Sequence, residues 1–185
     1  CLASYRNSFF NIKTCGTGHD VLLASVRAGN VIGGGDWAKD RLIPDVVRAA
    51  AGGEKVVIRS PGAIRPWQHV LECLSGYLLM GRKLLEKETG CATACNFGPA
   101  ESDALAVKEV LSLARDNWPA IDIEFRPDAA NPHEAHYLKL DCSRARTLLG
   151  WRPVWNADTA IGKTIEWYRA YYESDQIRSE KDLQT

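Results

Sequence analysis

An apolar run, Val21 to Val26, leads into Arg27-Ala28-Gly29-Asn30-Val31-Ile32-Gly33-Gly34-Gly35-Asp36-Trp37. The run reads as a strand over about 21–28 that ends in small residues, one amide and three glycines. Glycine lacks a Cβ and tolerates positive φ, so such a strand end permits close approach to the backbone. In open α/β sheets, ligands bind beyond the carboxyl ends of the strands. The segment therefore predicts an α/β fold with a ligand site at this strand end, and residues 29–36 read as the loop that forms it.

Helical and strand periodicities alternate along the rest of the chain. Residues 1–10 read as the last turns of a helix, with Leu2, Tyr5 and Phe9 on one face. A short helix is predicted over 43–51, with Ile43, Val46, Val47 and Ala50 inward and Gly52-Gly53 as its stop. Strands are expected at 56–59, 67–70, 94–98, 121–125 and 136–140. Helices are expected at 71–87, 104–118, 143–149 and 158–172. Leu71, Leu74, Leu78 and Leu85 mark the apolar stripe of the first of these, and Val107, Val110, Leu111, Ala114 and Trp118 that of the second. Ser143 or Asp141 is the expected cap of the helix at 143–149. The tail after Glu173 is polar.

Charge narrows the partners. The 23 basic and 23 acidic residues cancel, so no bulk attraction draws the chain to nucleic acid or to an anionic membrane. No apolar run approaches the about 18 residues of a membrane span. Six cysteines in 185 residues are too sparse for a disulfide framework and lack the paired spacing of structural zinc sites, so they read as reduced packing residues of a cytoplasmic protein. His133, His136 and Cys142 are the nearest approach to a metal set, and no metal is expected.

The glycine segment fits no standard phosphate loop. Gly35 is followed by Asp36-Trp37, not by Lys and Ser/Thr, and the Gly-x-Gly-x-x-Gly fingerprint is missing. Any anion site must then come from side chains. Asn30 can donate to a phosphate or sugar oxygen. Arg41, Arg59, Arg65 and Arg126 each stand near the end of a predicted element, and guanidinium groups grip phosphate in a bidentate manner. Glu134, in Pro132-His133-Glu134-Ala135-His136, is placed to accept from sugar hydroxyls. His69 is a further polar candidate, with an interior structural histidine as the equal alternative.

Several pieces together resemble the CDP-glucose 4,6-dehydratase family of the extended short-chain dehydrogenase/reductases. They are Arg27 to Trp37, Asp40-Arg41-Leu42-Ile43-Pro44-Asp45, and Ile64-Arg65-Pro66-Trp67-Gln68-His69-Val70-Leu71-Glu72. Asn96-Phe97-Gly98-Pro99, Leu149-Gly150-Trp151-Arg152-Pro153 and Thr164-Ile165-Glu166-Trp167-Tyr168 agree, though the last two are shared across nucleotide-sugar epimerases and dehydratases. Cys73, where proline is expected, and the irregular stretches 12–18 and 101–108 depart from the pattern.

The resemblance implies the C-terminal part of a Rossmann-like parallel sheet plus a smaller mixed α/β substrate-binding domain. Residues 1–36 would end the NAD-binding domain. Residues 37–172 would form mainly the substrate domain, with elements at about 64–98 returning to the Rossmann sheet, and 173–185 would be the polar tail. It implies NAD as cofactor and CDP-glucose as substrate. In such enzymes the sugar is oxidised at C4, water is lost across C5–C6, and hydride returns to C6, giving a 4-keto-6-deoxy sugar for surface-polysaccharide synthesis. Asn30, Arg65 and Arg126 match diphosphate contacts, Arg41 a basic residue near the substrate, and Glu134 an acid near the ribose. Ala28 and Gly29 match the segment beside the nicotinamide. The family's Tyr-x3-Lys pair and acid/base groups would lie before Cys1, so this stretch alone is expected to be an inactive fragment of a lyase that is a homo-oligomer when full length. The alternatives are another nucleotide-sugar epimerase or dehydratase, and a catalytically dead nucleotide-sugar-binding module.

Overall fold

The computed structural model describes residues 1–126, 140–175 and 177. Among them are six α-helices and seven strands, in the order α1 (Leu2–Phe9), β1 (Ser25–Ala28), β2 (Asn30–Ile32), α2 (Leu42–Ala51), β3 (Lys55–Ile58), β4 (Ile64–His69), α3 (Val70–Leu85), β5 (Ala94–Phe97), β6 (Ala104–Ala106), α4 (Val107–Asn117), β7 (Asp122–Phe125), α5 (Ser143–Leu149) and α6 (Ala157–Ser174). The strands form three small sheets: β1 parallel to β5, β3 parallel to β7, and β2 parallel to β4 with β6 antiparallel on its far side. The fold is α/β, as the alternation of periodicities predicts.

Two apolar clusters follow. Val46 and Val47 of α2, Val110, Leu111 and Ala114 of α4, and Ile161, Ile165 and Tyr168 of α6 form the larger one with Trp67 of β4. The apolar faces of α2 and α4 turn toward this cluster as read from sequence, and α6 adds Ile161, Ile165 and Tyr168. The smaller cluster joins Cys73 and Met80 of α3 to Cys95 and Phe97 of β5, Ala145 of α5 and Trp151.

The seam between the clusters is polar, with Gln68 and Glu72 buried. Gln68 Nε2 donates to the Phe97 carbonyl at 2.8 Å, linking β4 to β5. The Glu72 carboxylate accepts from the backbone N–H groups of Val154 and Trp155, each at 2.9 Å, tying the segment before α6 to the first turn of α3. A buried carboxylate persists in a core when its oxygens are bonded in this way.

Several expectations are corrected. The strand expected over 21–28 begins only at Ser25, and the glycine loop expected over 29–36 opens with β2, because Asn30–Ile32 pair with Trp67–His69. The strand expected at 67–70 starts three residues earlier and passes directly into α3. Residues 104–106 are a strand that pairs with β4, not the first turn of a helix. The apolar stripe of α3 is the largest departure. Leu74, Leu78 and Leu85 are exposed, whereas Cys73, Gly76 and Met80 are buried. The reason is steric: the ring of Phe97 lies so close that a Cβ on Gly76 would stand 2.2 Å from its Cδ1. Only a glycine-centred face lets α3 approach β5. Cys142 is the N-cap residue of α5, with the Asp141 carboxylate accepting from Ser143 N–H at 2.8 Å. The strand expected at 136–140 lies almost wholly outside the described residues.

Candidate functional site

The β2–β4 pairing builds the floor of a cavity of about 790 Å³. Asn30 opens β2 opposite Trp67 of β4, and Arg65 stands two residues earlier on β4, so neighbouring strands bring both side chains to one wall. β3 ends at Ile58, and the following Arg59 and Ser60 line the same space. Opposite them the chain leaves β2 through Gly33-Gly34-Gly35-Asp36, turns at Asp40 with φ of 62°, and enters α2 at Arg41.

The start of α2 faces the cavity. Its first internal hydrogen bond runs from Asp45 N–H to the Arg41 carbonyl, and no side chain caps the helix. The N–H groups of Leu42 and Ile43 therefore precede the ladder, and Pro44 has none to satisfy. Unbonded N–H groups and the positive end of the helix dipole favour an anion there. The arginines add full charges. Arg41 and Arg59 are exposed and have no ion pair among the described residues, and Arg65 Nη1 donates to the Ile64 carbonyl at 2.9 Å. The acids on the wall are partly spent: Asp45 is paired with Arg48, and an Asp36 carboxylate oxygen accepts from Ala38 N–H at 3.0 Å.

The cavity thus collects Asn30, Arg41, Arg59 and Arg65 of the sequence-derived candidates. Arg126 is not on the wall. Its backbone N–H donates to the Ile58 carbonyl at 3.0 Å, which brings it to the end of β3, but its guanidinium lies against Glu124 at 2.5 Å and is 67% exposed. Glu134 lies outside the described residues. Ala28 packs in the smaller core cluster, and Gly29 reaches the cavity. Gly29 is required by packing: a Cβ there would stand 2.9 Å from Pro66 Cγ and 3.0 Å from Leu140 Cδ1. The described residues include no Gly-rich turn opening a helix that would cradle a dinucleotide pyrophosphate.

His69 is an interior structural residue. It caps α3 by accepting from Leu71 N–H at 3.3 Å and meets the Trp155 ring edge-on at 5.0 Å. Burial, helped by the charge of Lys163, lowers its pKa to about 4, so it is neutral near pH 7. All six cysteines are free thiols, and burial raises the pKa of Cys73, Cys91, Cys95 and Cys142. No group of three metal-binding side chains occurs among the described residues. Among the same residues no helix is long and apolar enough to cross a membrane.

Arg41 is legible in the sequence, but the uncapped start of α2 beside it is a feature that sequence reasoning missed. The signal was present in Arg41-Leu42-Ile43-Pro44, because proline in a first helical turn marks a helix start.

The fold is one seen in nucleotide-sugar epimerases and dehydratases. It superposes on UDP-glucose-4-epimerase from Stenotrophomonas maltophila, solved with NAD and a formylated UDP-arabinopyranose, with a TM-score of 0.69 at 19% identity over 88% of this chain and 52% of that one. It also superposes on dTDP-glucose 4,6-dehydratase from Bacillus anthracis, solved with NAD, with a TM-score of 0.64 at 21% identity over 82% and 46% of the two chains. In sequence the chain is similar to the CDP-glucose 4,6-dehydratase of Salmonella typhimurium, with 47% identity over 176 residues, or 95% of this chain and 48% of that protein. The chain spans about half the length of this curated relative. No family model matches the sequence.

Proposed function

We propose that this chain forms the nucleotide-sugar-binding part of an NAD-dependent CDP-glucose 4,6-dehydratase. The observation that carries the reading is the convergence of Asn30, Arg41, Arg59, Arg65 and the uncapped start of α2 on one cavity. A diphosphate brings about two negative charges, and charge-assisted hydrogen bonds from guanidinium and backbone N–H groups hold it in a partly desolvated cleft. The 47% identity to a CDP-glucose 4,6-dehydratase supports the sugar nucleotide and the reaction class.

In this reading Asn30 and Arg65 bind the diphosphate from the strand side, and Arg41 with the Leu42 and Ile43 N–H groups binds it from the helix side. Arg59 and Ser60 border the far end, where the nucleoside lies. Arg126 stays at the rim, and Glu134 is assigned to a ribose hydroxyl. NAD, when bound to the whole enzyme, supplies the redox chemistry at C4 of the sugar, with Ala28 and Gly29 as the backbone beside its nicotinamide. The free thiols suit a reducing, cytoplasmic setting.

Titration calorimetry tests the reading. CDP and CDP-glucose are expected to bind the chain, and UDP and dTDP more weakly. Arg65→Ala is expected to weaken CDP binding by about 1.5–3 kcal/mol, the range for hydrogen bonds to charged groups. Equal affinity for all three nucleotides contradicts the CDP assignment. Unchanged binding in Arg65→Ala contradicts the site.

A further inference from the structure

The wall of the cavity that carries Gly33, Asp36, Asp40 and Arg41 is a loop with little structure of its own. It contains two residues with positive φ, Gly35 at 80° and Asp40 at 62°. Its hold comes from α6, more than 130 residues later. The Tyr168 hydroxyl accepts from Asp36 N–H at 2.9 Å and donates to the Asp36 carbonyl at 2.7 Å, so one side chain satisfies both backbone groups of one loop residue. Tyr168 is fully buried, and burial pushes its pKa up to about 12, so it stays a donor across the working pH range.

Trp167, the residue just before Tyr168, packs its indole against Gly34. A Cβ on Gly34 would stand 2.1 Å from Trp167 Cδ2, so the loop backbone rests directly on the indole. Trp37 closes the clamp from above. Its ring lies 5.1–6.3 Å from the rings of Trp167, Tyr168, Tyr171 and Tyr172. Arg48 Nη1 adds a bond to the Trp37 carbonyl at 3.0 Å.

We propose that Tyr168, with Trp167 and Trp37, is a positioning residue for the nucleotide-sugar cavity: it clamps the loop through Asp36 so that Arg41 and the start of α2 face the ligand. The proposal rests on the nucleotide-sugar reading of the cavity and adds to it a group that never touches the ligand. A two-sided hydroxyl bond is the feature that a merely space-filling ring would lack. Phenylalanine keeps the ring and leaves both Asp36 backbone groups unpaired.

The test is CDP titration of the chain carrying Tyr168→Phe, at a temperature where circular dichroism shows it folded. Binding is expected to fall about tenfold, or 1.4 kcal/mol. Trp37→Leu loosens the same loop from its exposed side, so it is expected to weaken binding in the same direction should Tyr168→Phe not fold. Tyr77→Phe, which removes one hydroxyl from α3 in the other cluster, is expected to leave affinity unchanged. A lowered melting temperature with unchanged CDP affinity in both loop variants overturns the clamp, as does an equal loss in Tyr77→Phe. If Arg65→Ala loses binding and the loop variants do not, the clamp fails while the nucleotide-sugar reading stands. If the unaltered chain does not bind CDP, both fail.

Discussion

Around the cavity, α2, α4 and α6 turn their apolar faces inward, and Val47, Val110, Leu111, Ile161, Ile165 and Tyr168 have essentially no exposed surface. Around β1 and β5, the helices leave apolar side chains in solvent: Leu2, Tyr5 and Phe9 of α1 are 41–63% exposed, and Leu74, Leu78 and Leu85 of α3 are 43–83% exposed. Among the described residues β1 pairs only with β5, so its other edge is open. The two regions use similar helical periodicities with opposite outcomes. A stripe of large apolar residues shows that a helix face wants cover, and among the described residues one region supplies that cover and the other leaves the stripe exposed. The candidate cavity borders the covered region, where rigid packing can hold side chains in register.

The contrast is sharpest in stability. Leu111→Ala empties a site that is fully enclosed and is expected to cost about 2–5 kcal/mol in chemical denaturation. Leu78→Lys, at a residue 77% exposed, is expected to stay within about 0.5 kcal/mol and to reduce self-association in sedimentation, because open edges and apolar patches invite contact between copies. Comparable losses in the two variants would break the comparison.

A smaller effect is expected at the seam. His69 ends β4 and caps α3, so it joins the two regions. Its pKa falls from 6.5 to about 4 on folding. The unfolded chain therefore binds more protons between these values, and stability is complete above about pH 6.5 and declines as the pH falls toward 4. Between pH 7 and 5 the loss from this one group is about 2 kcal/mol. His69→Asn keeps a capping acceptor without titrating, so its denaturation midpoint is expected to vary less with pH over the same window. An identical pH profile in the two proteins contradicts the buried neutral histidine.

The sequence reveals most where local rules and packing agree. The inward faces of α2 and α4 follow directly from the spacing of Val46, Val47, Val110 and Leu111. The site is legible to the extent that strands carry it: Asn30 and Arg65 meet because β2 and β4 are neighbours. Three things are hidden. The face of α3 depends on how close Phe97 comes to Gly76, a tertiary fact that outweighs the leucine stripe. Arg126 reaches the end of β3 through a backbone bond while its side chain finds Glu124 two residues away, a local partner that a search for ligands overlooks. The glycines after Asn30 suggest room for a ligand. Gly29 and Gly34 in fact make room for Pro66, Leu140 and Trp167, and the space left over is the cavity itself.

The most direct test of the central claim, a diphosphate held between β2, β4 and the start of α2, is a crystal structure of the chain soaked with CDP. Density for the two phosphates is expected within hydrogen-bond distance of the Asn30 amide, the Arg65 guanidinium and the Leu42 or Ile43 N–H. CDP bound at another face, or phosphates turned to solvent with Arg65 disengaged, would contradict it.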